Sequence, residues 1–114
     1  MRKSLLYDFY GELLTEHQKS IYEDIVMNDL SYSEIAALNG ISRQGVYDLV
    51  KRCDKILEEY EDKLRLVSKF LNAREKLSEL TQLTREIKEK NKSAELAEYI
   101  DKIEKKSEEI FEAF

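Results

Sequence analysis

Proline is absent from these 114 residues, glycine occurs three times, cysteine once and tryptophan not at all. Without proline, no residue forces a helix to stop by removing a backbone donor. No alternating run of β-branched residues lies between turn clusters, so strands are not indicated. No apolar run approaches the ~20 residues that span a bilayer. Met1-Arg2-Lys3-Ser4 leads straight into an amphipathic pattern rather than a secretory signal. Cys53 has no second cysteine to pair with, and it falls on an apolar seam. It reads as a small buried hydrophobe rather than a nucleophile or redox sensor. These absences point to an all-α, cytoplasmic protein, one domain by length with room for an appendage.

The chemistry of an enzyme is missing too. There is no Gly-rich phosphate loop, no metal-ligand cluster, and no nucleophile with a base and an orienting group. His17 has no His or Cys neighbour and sits in the first turn of a helix, which is no metal site. Carboxylate pairs such as Glu58-Glu59 and Glu61-Asp62 read as a solvated helix surface paired with cations one turn away. Neither catalysis nor a cofactor is expected.

What is present is charge, at 38% of residues, with a net charge of −5. That total argues against nucleic-acid binding by bulk charge alone. The distribution is uneven. Residues 1–42 carry net −4, whereas residues 43–57 carry net +2 from Arg43, Lys51, Arg52 and Lys55 against Asp48 and Asp54.

The basic stretch belongs to a larger pattern, Ser31 to Arg52. Ser31 and Glu34 have the spacing of a capping box, and Ile35, Ala36 and Leu38 supply an apolar side. Asn39-Gly40 ends that helix, since both residues tolerate the left-handed conformation. Ile41 is expected to plug the corner. Ser42 caps a second helix with Val46, Leu49, Val50 and Cys53 facing inward. Two short helices around a tight turn make a helix-turn-helix, whose second helix enters a DNA groove. Its outward side carries Gln44, Asp48, Lys51 and Lys55, flanked by Tyr47 and Arg52. The candidate nucleic-acid contacts are Ser42, Arg43, Gln44, Tyr47, Lys51, Arg52 and Lys55. Gln and Arg can read base edges, and the Lys/Arg group suits phosphates. Asp48 is the misfit on this face.

Upstream, Leu5, Leu6, Phe9, Tyr10 and Leu13 give residues 3–14 a helical pattern, in which Gly11 is either a local cost or a close approach. Thr15 and Gln18 form a capping box for a helix that runs to Asn28-Asp29. Downstream, Val46, Val50, Cys53, Leu57, Tyr60, Leu64, Val67 and Leu71 form a heptad seam. A helix from Arg43 to Phe70 would be about 42 Å long, more than the ~35 Å width of a compact chain of this size. Its seam would need covering by the C-terminal helices or by a second chain. A register slip near Asn72 suggests a bend or a new helix, and Glu89–Ser93 is a break with Ser93 as N-cap. The expected organisation is a helix-turn-helix domain over residues 1–70 and a helical extension over 71–114 that packs back or forms a homodimer.

The runs LLYDFYGELLTEHQ and LSYSEIAALNGISRQGVYDLVKRCDKILEEYEDKL closely resemble the YlxM family of small bacterial proteins. The motif itself looks like region 4 of sigma factors, and the likeness covers about residues 5–70. The resemblance implies an all-helical, sigma-region-4-like fold, a DNA-binding regulator, and a role in the signal recognition particle pathway. A sigma factor also needs polymerase-binding and promoter-melting parts, for which this length leaves no room. Three roles follow: a dimeric DNA-binding regulator, an accessory protein touching the particle's RNA or protein subunit, or a protein-only adaptor.

Overall fold

Helix boundaries in the computed structural model, which describes residues 2–114, fall largely where the capping residues put them. Among the described residues there are six α-helices, one 3-10 turn and no strand. The elements are α1 (Arg2–Tyr10), the 3-10 turn (Gly11–Leu13), α2 (Glu16–Val26), α3 (Tyr32–Asn39), α4 (Arg43–Leu64), α5 (Leu66–Lys90) and α6 (Ala94–Glu112). Two compact units result, one ending at Val67 and the other running from Ser68 to Phe114.

Thr15 and Gln18 form the full capping box on α2, with bonds of 3.2 and 3.0 Å. Ser31 Oγ accepts from the Glu34 amide at 3.1 Å, without the reciprocal side-chain bond of a capping box. Ser42 and Ser93 cap α4 and α6 in the same one-sided way. Gly40 takes φ +63° and ends α3. The chain passes Gly11 so closely that a Cβ there would lie 2.9 Å from the Tyr7 ring.

In the first unit α1, α2 and α3 all pack on α4. Val46, Val50, Cys53 and Leu57 are at most 2% exposed. They meet Leu6, Tyr10, Ile21, Tyr22 and Ile35 in one core. Each such side chain contributes about 1.5–3 kcal/mol by leaving water. This part of the seam is therefore covered by the helices that precede it, not by the C-terminal helices or a second chain. Some expected core positions are open: Leu38, Ile41 and Leu13 are all exposed. On either side of the turn Ile35 and Val46 are fully buried, whereas Ile41 between them is exposed and does not plug the corner.

The 28-residue helix does not form. α4 stops at Leu64, and Arg65 adopts φ +58°. Leu64 and Leu71 are exposed, so the heptad pattern does not continue as one buried seam. The break has a chemical cause. A helix starting at Leu66 presents amides with no partner in their own helix. The Tyr10 hydroxyl accepts from Leu66 N–H at 3.0 Å and donates to Glu61 Oε1 at 2.6 Å. Glu61 Oε1 also accepts from Val67 N–H at 2.9 Å. Glu61, read from sequence as a surface residue, is 5% exposed. Two further ties hold α4 to its neighbours: Tyr22 Oη donates to Asp54 at 2.7 Å, and Arg2 forks onto Glu58 at 2.8 and 2.9 Å. The Arg2 guanidinium holds the Glu58 carboxyl below its usual range.

The second unit is a hairpin of α5 and α6. Lys88 meets Asp101 at 2.8 Å, Thr84 meets Glu104 at 3.3 Å, and Phe70 lies against Phe111 and Phe114. These pairings make the two helices antiparallel. No bend or new start occurs at Asn72, which lies inside α5.

Removing the Glu61 carboxylate leaves the Val67 amide buried without an acceptor, so Glu61→Ala should cost about 1–3 kcal/mol in urea unfolding, and Tyr10→Phe a similar amount. Arg65→Gly should act oppositely, raising stability by about 0.5–1 kcal/mol by relieving the left-handed strain. A loss of stability in Arg65→Gly would show that the break is not strained.

Candidate nucleic-acid interface

α4 has two faces. Its inner stripe is the core of the first unit, and that burial fixes how the outer face is presented. Ser42 Oγ accepts from Gly45 N–H at 2.9 Å, which locks the start of the helix. Arg43, Gln44, Tyr47, Asp48, Lys51, Arg52 and Lys55 are all exposed, and Ser42 stands exposed at the N-cap. Every expected site residue thus shares the outer half of one helix.

Aromatic contacts set the geometry. Tyr47 packs edge-on against Tyr32 of α3, with ring centroids 6.1 Å apart. The Lys51 ammonium sits 5.4 Å over the Tyr47 ring, a cation–π contact that holds the charge near the surface. Tyr32, Arg43, Gln44 and Tyr47 line a shallow open cleft across the turn. A second cleft, beside the start of α2, is lined by Thr15, His17, Gln18, Asp48 and Arg52 among others. Tyr32, Thr15 and Gln18 were not among the expected site residues, because they lie outside α4 and only the fold brings them to it.

Asp48 is not loose on this face. Its Oδ1 accepts from Gln44 Nε2 at 2.9 Å. The bond uses one of the two N–H donors of the Gln44 amide and fixes its orientation, leaving the second N–H and the carbonyl. It also gives the misplaced carboxylate a partner.

The cations of α1 and α2 differ from those on the outer face of α4, while Lys63 and Arg65, also in this unit, stand exposed at the far end of α4. Arg2 pairs with Glu58, Lys3 with Asp54 and Lys19 with Glu12, at 2.8, 3.2 and 2.7 Å. Among the described residues, no carboxylate lies within ion-pair distance of Arg43, Lys51, Arg52 or Lys55. The helix-turn-helix therefore holds four cations that the fold leaves free to meet an external anion.

Cys53 lies directly behind this face and is fully buried. Burial pushes its thiol from 9.0 up to about 11. Among the described residues no group of His, Cys, Asp and Glu is placed to hold a metal ion. Nor is any helix there long and apolar enough to cross a membrane.

These elements define an all-α helix-turn-helix protein with a solvent-facing basic second helix. The comparison with known families agrees, since residues 1–111 match the family described as "UPF0122: Putative helix-turn-helix protein, YlxM / p13 like". The chain belongs to the UPF0122 family. A UPF0122 protein of Thermoanaerobacter sp. is 42% identical over 107 residues, covering 94% of this chain and 92% of the relative. A Shouchella clausii member is 48% identical over 80 residues, covering 70% and 73%. A Bacillus thuringiensis member is 46% identical over 85 residues, covering 75% and 77%.

Cys53 gives this face a built-in monitor of its backing. The native thiol should react with a thiol reagent at pH 7.5 at least about 100-fold more slowly than the unfolded chain, because thiolate and access are both lacking. The folded pKa is raised, so this contribution to stability is complete below pH 9 and is lost as pH rises through about 11. Tyr7, raised to about 12, acts with the same sign. A denaturant midpoint that rises between pH 9 and 11 would contradict this.

Proposed function

We propose that this protein is a regulator that binds duplex nucleic acid, using the outer face of α4, and acts as a cytoplasmic homodimer. The observation that carries the reading is the set of four cations on a helix-turn-helix that have no carboxylate within reach, while the chain's preceding cations are all paired. A duplex binder needs phosphate-directed charge on the helix that enters the groove. Lys51, Arg52 and Lys55 serve as phosphate contacts, and Arg43 at the helix start serves as the base-edge contact, its fork fitting guanine. Ser42 and Tyr47 border the path of the backbone. Gln44 contributes to base reading through its second N–H and its carbonyl, in the orientation that the bond to Asp48 sets.

That bond favours a second reading. A face whose glutamine is engaged by a neighbouring aspartate reads shape and phosphate more readily than sequence. RNA duplexes are recognised in that way. An accessory role on the RNA of the signal recognition particle, which the likeness to the YlxM family implies, fits this chemistry. A protein-only adaptor has no specific observation in its favour.

Fluorescence anisotropy with a DNA and an RNA duplex of about 20 base pairs, across a salt series, tests both. Binding should weaken with salt. Lys51→Glu/Arg52→Glu should weaken it at least tenfold and lower the log–log salt slope by about 2. Tighter binding to RNA at matched length would select the second reading. Salt-insensitive binding, or none to either duplex at 100 mM salt and about 0.1 mM protein, would sink the nucleic-acid reading as a whole.

A further inference from the structure

The hairpin of the second unit leaves one side uncovered. Its inner contacts run through Phe70, Thr84 and Lys88 on α5, and through Asp101, Glu104 and Phe111 on α6. Ile100, Thr84 and Ser107 are its only buried residues past Val67. Measured from that contact line at 100° per residue, Leu80, Leu83 and Ile87 of α5 turn to one side. Tyr99, Ile103 and Ile110 of α6 turn to the same side, because the helices are antiparallel. All six are 44–58% exposed. Phe70, Ala73, Leu77, Leu80, Thr84 and Ile87 keep a heptad rhythm, as do Leu96, Ile100, Ile103, Ser107, Ile110 and Phe114. A heptad stripe on each of two antiparallel helices is the pattern of a four-helix bundle, which one hairpin half fills.

The charges bordering the open side identify what fills the other half. Along the outer edge of α5 stand Lys76, Glu79, Glu86 and Lys90, all exposed. Along the outer edge of α6 stand Glu95, Lys102, Lys106 and Glu109, also exposed. The first edge reads plus, minus, minus, plus; the second reads minus, plus, plus, minus. Within one hairpin, Arg74 lies over Phe111, Thr84 meets Glu104 and Lys88 meets Asp101. A rotation about an axis along the bundle sets α5 against α6 of a second copy at those same levels. Lys90 then faces Glu95 of the second copy, and the Lys76–Glu79 pair within α5, at 3.7 Å, faces the Lys106–Glu109 pair within its α6, at 3.5 Å, with Lys76 opposite Glu109 and Glu79 opposite Lys106. Glu86 lies one turn from its Lys102, and Leu83 one turn from its Tyr99.

We propose that this face binds a second copy of the same chain, forming a two-fold four-helix bundle in which α5 of each copy packs antiparallel to α6 of the other. The pairing is self-complementary in charge along its length, and the charges fix one register. Slipping the helices by one heptad removes the matched pairs. It rests on the homodimer part of the proposed function and not on nucleic-acid binding, since the interface uses different residues from the duplex-binding face.

Sedimentation equilibrium of the full chain, paired with two edge-reversed variants, tests the proposal. One variant carries Lys76→Glu/Glu79→Lys/Lys90→Glu; the other carries Glu95→Lys/Lys106→Glu/Glu109→Lys. The substitutions are on exposed positions, and circular dichroism checks that the helices persist. Wild type should sediment at about twice 13.5 kDa. Each variant alone should dimerise at least tenfold more weakly, since like charges then face each other at both contacts. An equimolar mixture should recover wild-type affinity, because both contacts of the mixed dimer are again complementary. A monomeric wild type at 0.1 mM, variants that dimerise as well as wild type, or a mixture that stays weak would each overturn the proposal.

Discussion

A carboxylate at the end of α4 governs where the first unit closes. Glu61 accepts the Tyr10 hydroxyl and the Val67 amide, while that same hydroxyl accepts the Leu66 amide. Without these acceptors, the cheapest way to satisfy Leu66 and Val67 would be to continue α4 as one rod, since an uninterrupted helix bonds those amides itself. The tyrosine and the glutamate together make the stop affordable. Burial pushes the Tyr10 hydroxyl pKa up, which keeps the proton that the bond to Glu61 requires. Because Tyr10 ends α1, one contact ties the first helix of the unit to the last turn of α4.

That dependence explains which parts of the fold were legible. Thr15, Ser31, Ser42 and Ser93 each announce a helix start through a local bond, and each start stands where the pattern put it. Asn39-Gly40 announces a left-handed stop in the same local way. The stop at Arg65 is invisible to such reading, because arginine has no preference for that conformation and the Leu66 amide just after it is accepted by Tyr10, 56 positions earlier. The heptad spacing runs on through Leu64 regardless, so a periodicity argument continues the helix. The fate of Leu38 and Ile41 has a related cause. Helical spacing says that a residue can face inward, whereas the packing of neighbouring helices decides whether it does, and here it takes in Ile35 and Val46 and leaves Leu38 and Ile41 exposed.

The candidate site was legible in its residues and less so in its relations. Six of the seven expected positions are exposed on the outer half of α4 and Ser42 caps it, as the 3.6-residue repeat requires once Val46, Val50 and Cys53 point in. The bond between Gln44 and Asp48 joins residues one turn apart, and it changes the meaning of both. The aspartate read as an obstacle to an anion is also a constraint on the glutamine. Tyr32 reaches Tyr47 only because the turn folds α3 back across α4.

The acidic total of the chain and its basic helix do not contradict one another. Surface charges more than about 8–10 Å apart are largely screened at physiological salt. A duplex laid along α4 therefore feels the cations within a turn or two of its path far more than carboxylates elsewhere in the chain. What matters at that range is whether each cation already has a partner. Arg2, Lys3 and Lys19 spend their charge inside the fold, holding α1, the 3-10 turn, α2 and α4 together. Arg43, Lys51, Arg52 and Lys55 do not. Net charge −5 is then a brake on long-range attraction rather than on contact. The proposed duplex contact would therefore be short-ranged and salt-sensitive, carried by the cations on the outer face of α4.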